Sequence, residues 1–320
     1  MKQDYYSINR TERQLLIGYE SFVSISSLIG DMLILVGSLG YNAIKLHKVI
    51  VTFIQYIAVA DLSVTVFSIL PGTVSLAAND WILGDILCYL DLFAYASCAS
   101  FVCQLMAAIA FSKLLIVKYP LRAISFPSKT AHLVACGMLV CSFIFPTAAI
   151  ARDKNGVYFD NDTYNCDYDW GSDKWTKTGI KVYSTAIGLT LLTCAVITIV
   201  SSVLLLVVAR RIAGRGLQWQ GVLTVLLTVT VHSLISIPSA IYYTAQFISP
   251  GANLVNLYTF AVDISFVGVT ANFYIFTLTL SSFREFLKSR MRAISTLVVR
   301  SLRCCTTGEG EGEERRRLLD

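Results

Sequence analysis

The sequence predicts an all-α membrane protein, a seven-transmembrane helix bundle followed by a short amphipathic eighth helix. Of its 320 residues, 55% are hydrophobic and only 15% are charged, against about 25% charged in a typical soluble domain. The apolar residues form seven long stretches spread along the chain, and a helix needs about 20 mainly apolar residues to cross a bilayer. We therefore expect one membrane domain.

Hydropathy places the seven helices in order along residues 20–280. The predicted spans are 20–46, 50–78, 86–116, 130–151, 181–209, 220–247 and 254–280. After them, the apolar positions 283, 286 and 287 follow a helical stripe with basic residues opposite, which predicts a helix on the membrane surface over 281–296. Residues 1–19 are then a short N-terminal segment, and residues 297–320 a tail of low complexity that we expect to be disordered.

Basic residues set the predicted orientation, because they are retained in cytoplasmic loops. Loops one, three and five contain Lys and Arg residues close to the helix ends, whereas the basic residues of the other loops lie in one long segment rich in Asp. The N-terminus is therefore predicted to be extracellular, in the plasma membrane. No apolar core of a cleavable signal peptide precedes the first span. The net charge of +5 comes from basic residues whose positions are explained by membrane topology. No nucleic-acid partner is therefore expected.

Possible modification sites agree with this orientation. Asn9 and Asn161 each begin a glycosylation sequon, and both lie on the predicted outside. Cys304 and Cys305 lie beside basic residues in the tail, where they are either acylated as a second membrane anchor or free thiols. Both alternatives stay open.

Several motifs, in order and with consistent spacing, resemble those of the rhodopsin-like (class A) G-protein-coupled receptors. Ala58-Val59-Ala60-Asp61-Leu62 is similar to the family's Leu-Ala-x-Ala-Asp-Leu, and Trp81-Ile82-Leu83-Gly84 with Cys88 is similar to its Trp-x-x-Gly…Cys. Gly30-Asp31 resembles the family's Gly-Asn, and Asn272 resembles the asparagine of its Asn-Pro-x-x-Tyr. The resemblance implies a disulfide between Cys88 and Cys166, and heterotrimeric G proteins as partners.

The chain resembles a divergent member of this family, because its departures fall in the residues that the resemblance implies for activation. Ser112-Lys113, followed by Lys118 and Pro120, stands where the family has Asp-Arg-Tyr and then Ile-Val-x-Pro-Leu, so these are the candidate G-protein-coupling residues. In the sixth span Pro238 is kept but Ser236 replaces the family's tryptophan. In the last span Phe276 replaces its tyrosine. We therefore expect weak or narrow coupling.

Two carboxyl groups are predicted deep inside the bundle. If the first two helices pack as in the family, Asp31 and Asp61 face each other near Asn272, and two carboxylates in a low dielectric cannot easily both ionise. Either a proton or a sodium ion is shared there, or the three residues form a structural hydrogen-bond network. His232 in the sixth span is expected to be a packed core residue.

A ligand pocket is expected between the helices near the outer face, as in helix bundles generally. By position, its candidate lining residues are Asp91, Tyr95, Tyr242, Tyr243, Gln246 and Phe266. Tyr95 stands where amine-binding relatives have an aspartate, which argues against an amine ligand. Residues 254–280 contain no lysine, which excludes retinal chemistry. The long loop after residue 151 combines acidic and aromatic residues, which suit either a basic peptide ligand or a hairpin lid.

The predicted function is a receptor that transmits an extracellular signal to G proteins. An ion-coupled transporter or channel is the main alternative, because intramembrane carboxylates also mark ion paths. A seven-helix receptor that binds ligand without signalling is the other. The sequence has no zinc-protease, serine-hydrolase or phosphate-binding motif, so no enzyme activity and no organic cofactor are expected.

Overall fold

The computed structural model describes residues 10–40, 44, 46–119, 127–152, 157–160, 165–168, 177–211, 219–248, 255–293 and 296. Seven of its helices are long and apolar enough to cross a membrane. They are α1 (Arg10–Gly40), α2 (Lys48–Ala78), α3 (Gly84–Lys118), α4 (Ser128–Arg152), α5 (Lys177–Arg211), α6 (Trp219–Ile248) and α7 (Val255–Thr279). A hairpin of strands β1 (Val157–Asp160) and β2 (Asn165–Tyr168) separates α4 from α5. Helix α8 covers 281–293.

Most helix ends lie within a few residues of the predicted spans, but α1 covers Arg10–Gly40 instead of 20–46. The early start has a structural cause that hydropathy does not detect. Arg13 donates a hydrogen bond of 2.6 Å to the side-chain oxygen of Asn79 at the end of α2, so polar turns of α1 remain helical against a neighbouring helix. Helix α2 begins at Lys48, where the His47 ring accepts a hydrogen bond from the backbone of Val49.

Helix α2 contains one irregular turn, a π-helical segment from Thr65 to Ile69. It lies directly before Pro71, and proline cannot donate the hydrogen bond that a regular helix requires at that position. Such π segments often occur at functional sites. The turn places Thr65 against α1 and Ser68 against α3.

The bundle is built around α3, which packs against α2, α4, α5 and α6. Its buried Leu105 and Ile109 contribute to one continuous core. The outer faces carry apolar side chains, as a lipid-facing surface requires; Leu189 and Leu192 on α5 are 57% and 60% exposed. The chain is therefore a multi-pass membrane protein.

Helix α8 follows the predicted stripe. Phe283 is fully buried and lies edge-on to Phe273 and Phe276, with ring centroids 6.3 and 6.4 Å apart. It also stacks on Phe286 at 6.0 Å, while Glu285 and Lys288 are exposed. The side chains at 283, 286 and 287 join the core, so the predicted eighth helix is confirmed.

Candidate functional site

The β1–β2 hairpin is fixed to the start of α3, and this defines what we call the hairpin end of the bundle. A disulfide joins Cys88 to Cys166, with the Cα atoms 5.4 Å apart, which confirms the predicted pairing. Trp81 packs on Phe159 of β1 with ring centroids 5.5 Å apart. The start of α1 and the end of α2 lie at the same end, since Arg13 bonds Asn79.

Asp91 strengthens this attachment. Its carboxylate accepts a hydrogen bond of 2.9 Å from the backbone N–H of Cys166 and a second one from Ser68. The residue is 1% exposed. Although Asp91 was predicted to line a ligand pocket, the structure places it one helical turn beyond Cys88, where its carboxyl group bonds the hairpin.

A cavity of about 120 Å³ lies between α3, α5, α6 and α7. Four of the predicted pocket residues line it, namely Tyr95, Tyr242, Tyr243 and Phe266. Tyr95 shares a hydrogen bond of 3.1 Å with Ser265 and lies edge-on to Phe266 at 6.0 Å. Asp91 is not among the described residues that line the cavity. The side chain of Gln246 lies outside the described residues.

The deep end of the cavity is polar. Asp61, His232 and Ser236 line it. Asn272 donates a hydrogen bond of 3.2 Å to the Asp61 carboxylate, and its own carbonyl oxygen lies 3.3 Å from His232 Nε2. We call Asp61, Asn272 and His232 the core polar chain. It connects α2, α7 and α6 directly beneath the cavity.

Asp31 lies beside this chain but reaches it through hydroxyl groups. Ser27 donates to the Asp31 carboxylate at 2.8 Å and shares a bond of 2.6 Å with Thr65, which in turn donates to the backbone oxygen of Asp61. The Asp31 and Asp61 carboxyls are close enough to interact electrostatically. The second Asp31 oxygen, Oδ1, is buried without a hydrogen-bond partner among the described residues.

At the opposite end, Lys113 is buried rather than open to solvent. It is only 9% exposed, and a Cβ atom added to Gly221 of α6 would lie 3.3 Å from Lys113 Nζ and 3.0 Å from Leu46. Lys113 is thus covered by α6, and Leu46 lies against the same glycine. Lys118 is exposed, with its ammonium 5.2 Å from the Tyr119 ring centroid. Ser112 lines a separate apolar groove.

The predicted switch residues lie on α6 and α7. Ser236 donates to the backbone oxygen of His232 at 2.8 Å, and its oxygen is 3.6 Å from Cys103 on α3. Pro238 lies inside α6, where it interrupts the helical hydrogen bonds. Phe276 is 1% exposed and packs on Phe283. Pro120, Asn9, Asn161, Cys304 and Cys305 lie outside the described residues.

Sequence reasoning missed a second pair of carboxyls near the hairpin end, of which Glu20 is buried and Asp263 is half-buried. Glu20 on α1 is 2% exposed, lies beside Thr73 and interacts electrostatically with Asp263 on α7. Beside them, Tyr19 donates a bond of 2.6 Å to the Asp263 backbone oxygen. Both carboxyls lie within predicted spans, so the rule that intramembrane carboxylates are functional candidates would have identified them.

Comparison with known proteins agrees with this architecture. A search among curated proteins gave no match. The model of the 7 transmembrane receptor (rhodopsin family) matches residues 32–285, which is most of the chain. The match begins within α1 and ends within α8, and it includes the disulfide, the cavity and the core polar chain. The chain therefore belongs to the rhodopsin family of seven-transmembrane receptors.

Proposed function

We propose that this receptor binds an extracellular ligand in the cavity between α3, α5, α6 and α7 and transmits the signal to heterotrimeric G proteins at the opposite end. The observation that carries the proposal is the position of the core polar chain. Its members His232 and Asp61 line the cavity and also join α6 to α7 and α2. A ligand that reaches the cavity floor therefore touches the groups that hold these helices together.

The disulfide supports an outward-facing hairpin end in the plasma membrane. Disulfides persist in oxidising compartments, and the start of α1 shares this end of the bundle. The opposite end of α5 carries Arg210 and Arg211 in its last turn, as expected of a cytoplasmic helix end. The N-terminus is extracellular on this proposal.

The size of the cavity restricts the ligand group that enters it. A volume of about 120 Å³ holds a small molecule or one terminus or side chain of a peptide, not a folded segment. A peptide ligand would contact the hairpin with the rest of its length, where the predicted acidic and aromatic residues favour a basic partner.

Asp31 and Asp61 are the proposed site of a shared proton or a sodium ion. Two interacting carboxyls with one unpartnered oxygen at Asp31 are unfavourable without a neutralising charge. The Asn272 amide and the Ser27 and Thr65 hydroxyls supply further polar atoms in the same region.

The direct test is nucleotide exchange on a panel of heterotrimeric G proteins, using membranes that contain the full-length receptor, with and without peptide libraries. Receptor-dependent exchange on at least one G protein is expected. If libraries bind specifically but no G protein responds, the chain is a ligand-binding receptor that does not signal. Ion flux into receptor-containing vesicles, without any exchange, would favour the transporter or channel alternative.

A further inference from the structure

The core polar chain has a definite direction. The carboxylate of Asp61 accepts the bond of 3.2 Å from the Asn272 amide nitrogen. The other end of the Asn272 side chain is then its carbonyl oxygen, which lies 3.3 Å from His232 Nε2. A carbonyl oxygen can only accept, so with the Asn272 amide in this orientation Nε2 of His232 carries the hydrogen.

The second ring nitrogen of His232 is left with a different role. The ring is 8% exposed, and the described residues place no carboxylate in hydrogen-bond contact with it. An unpaired buried imidazolium is costly, so the ring is neutral and Nδ1 has a free lone pair. In a neutral imidazole with its hydrogen on Nε2, Nδ1 is an acceptor.

The geometry shows where this acceptor faces. A Cβ atom built on Gly268 of α7 would lie 3.7 Å from both Nδ1 and Cε1 of His232. Gly268 and His232 both line the cavity. The Nδ1 edge of the ring therefore borders a position that has no side chain, between two residues that both line the cavity.

We propose that His232 determines specificity at the cavity floor: the core polar chain holds it as the Nε2–H tautomer, and Nδ1 accepts a hydrogen bond from a hydroxyl or N–H group at the deep end of the ligand. The ligand class rests on the proposed function, since it assumes that a ligand occupies this cavity. The tautomer and the open acceptor do not rest on it.

The tautomer can be measured without ligand or G protein. The full-length receptor is labelled with ¹⁵N in its histidine rings and placed in lipid nanodiscs. The chain has three histidines, so His47→Gln and His132→Gln identify the His232 signals by elimination even if His232→Gln does not fold. We expect a protonated, pyrrole-type Nε2 and a pyridine-type Nδ1. A protonated Nδ1, whether in the reverse tautomer or in an imidazolium, would overturn the proposal.

Gly268 provides a matched pair of variants for the acceptor. Gly268→Ala and Gly268→Ser both place Cβ at ordinary contact distances, 3.5 Å from Ile235 and 3.7 Å from the His232 ring. Only serine adds a hydroxyl that can donate to Nδ1. The expected result is an Nδ1 resonance shifted towards the hydrogen-bonded range in Gly268→Ser but not in Gly268→Ala, with Nε2 protonated in both. Equal Nδ1 resonances in the two variants would show that the acceptor does not face this position.

These outcomes are separate from those of the proposed function. A receptor that fails to activate any G protein can still show the Nε2–H tautomer and the serine-dependent shift. Conversely, strong nucleotide exchange with the reverse tautomer would remove the inference and leave the receptor function intact.

Discussion

Buried polar side chains are concentrated where α1, α2 and α7 meet. Asp31 and Asp61 are 1% and 3% exposed, and Asn272 is 3% exposed. Burying such groups is costly unless each is hydrogen-bonded or neutralised. Because Asp31 Oδ1 has no partner among the described residues, we expect the bundle to be more stable when either carboxyl is replaced by a neutral amide.

Asp31→Asn and Asp61→Asn are each expected to raise the melting temperature of the purified receptor, because each removes one of two interacting buried carboxyls. The double variant should gain less than the sum of the two, with an interaction free energy of roughly 0.5 to 3 kcal/mol. Thermal unfolding in one detergent provides all four values. The exposed Asp85 is the control, since Asp85→Asn should combine additively with Asp61→Asn. Additivity between positions 31 and 61 would show that the two carboxyls do not interact.

We expect the lysine at position 113 to reduce the efficiency with which the receptor activates G proteins. A lysine is a point charge without the planar fork of arginine, and here it is buried beside Gly221. Lys113→Arg should increase nucleotide exchange by about threefold, equivalent to roughly 0.65 kcal/mol. Arginine can make bidentate contacts to the G protein, and its larger head group disfavours the packing of α6 over residue 113. Exchange is measured on the G-protein panel with any activating library peptide.

Lys129→Arg is the control for that measurement, because Lys129 is exposed on α4 and is not one of the candidate coupling residues. It should leave exchange unchanged. If Lys113→Arg lowers exchange or leaves it unchanged while the native receptor signals strongly, lysine is already adequate at this position.

At the scale of helices, close approaches depend on single glycines. A Cβ atom at Gly30 of α1 would lie 2.7 Å from Cβ and 2.8 Å from Cγ of Phe273 on α7. These distances are far below van der Waals contact, and the part of Phe273 concerned is fixed to the helix backbone. The approach of α1 to α7 therefore requires glycine at position 30.

Gly30→Ala is expected to destabilise the receptor by roughly 1 to 3 kcal/mol through overpacking, and thermal unfolding should show it as a lowered melting temperature. Gly137→Ala on α4 is the control, because a Cβ atom there meets nothing within 4 Å. That variant should be neutral or stabilising by up to about 1 kcal/mol, from the higher helix propensity of alanine. Equal melting temperatures for the two variants would contradict the close packing of α1 on α7.

The hairpin is attached to α3 by the disulfide and by Asp91. Removing the disulfide by Cys88→Ser or Cys166→Ser should cost roughly 2 to 5 kcal/mol, and the double variant should be no worse than either single one, since all three lose the same bond. The exposed Cys136 is a free thiol, so Cys136→Ser is the control for loss of sulfur. Non-reducing peptide mapping that found both Cys88 and Cys166 as thiols would contradict the pairing.

At the scale of the whole molecule, the orientation in the membrane remains to be measured. An epitope at the N-terminus should be detected on intact cells, whereas one at the C-terminus should require permeabilisation, because seven spans put the termini on opposite sides. Glycosidase treatment should reduce the apparent mass, and the reduction should be lost in Asn9→Gln combined with Asn161→Gln. Detection of the N-terminal epitope only after permeabilisation would reverse the topology.

Local patterns in the sequence were sufficient to predict the transmembrane helices. Seven apolar stretches determine seven spans because hydrocarbon admits only backbone that satisfies its own hydrogen bonds. The stripe at 283, 286 and 287 predicted α8 by the same local logic. The pairing of Cys88 with Cys166 was implied by the family resemblance. The extension of α1 to Arg10 was not predictable, because it depends on Asn79 from another helix.

The roles of individual polar residues were decided by the tertiary structure. Asp91 and Tyr95 are four residues apart on α3, yet one holds the hairpin and the other lines the cavity. His232 looks in the sequence like any packed core residue, and only the position of Asn272 gives its ring a direction. Hydropathy reports whether a side chain lies in the membrane, but which partner it meets depends on how the helices are rotated and packed against each other, and that is a property of the whole bundle.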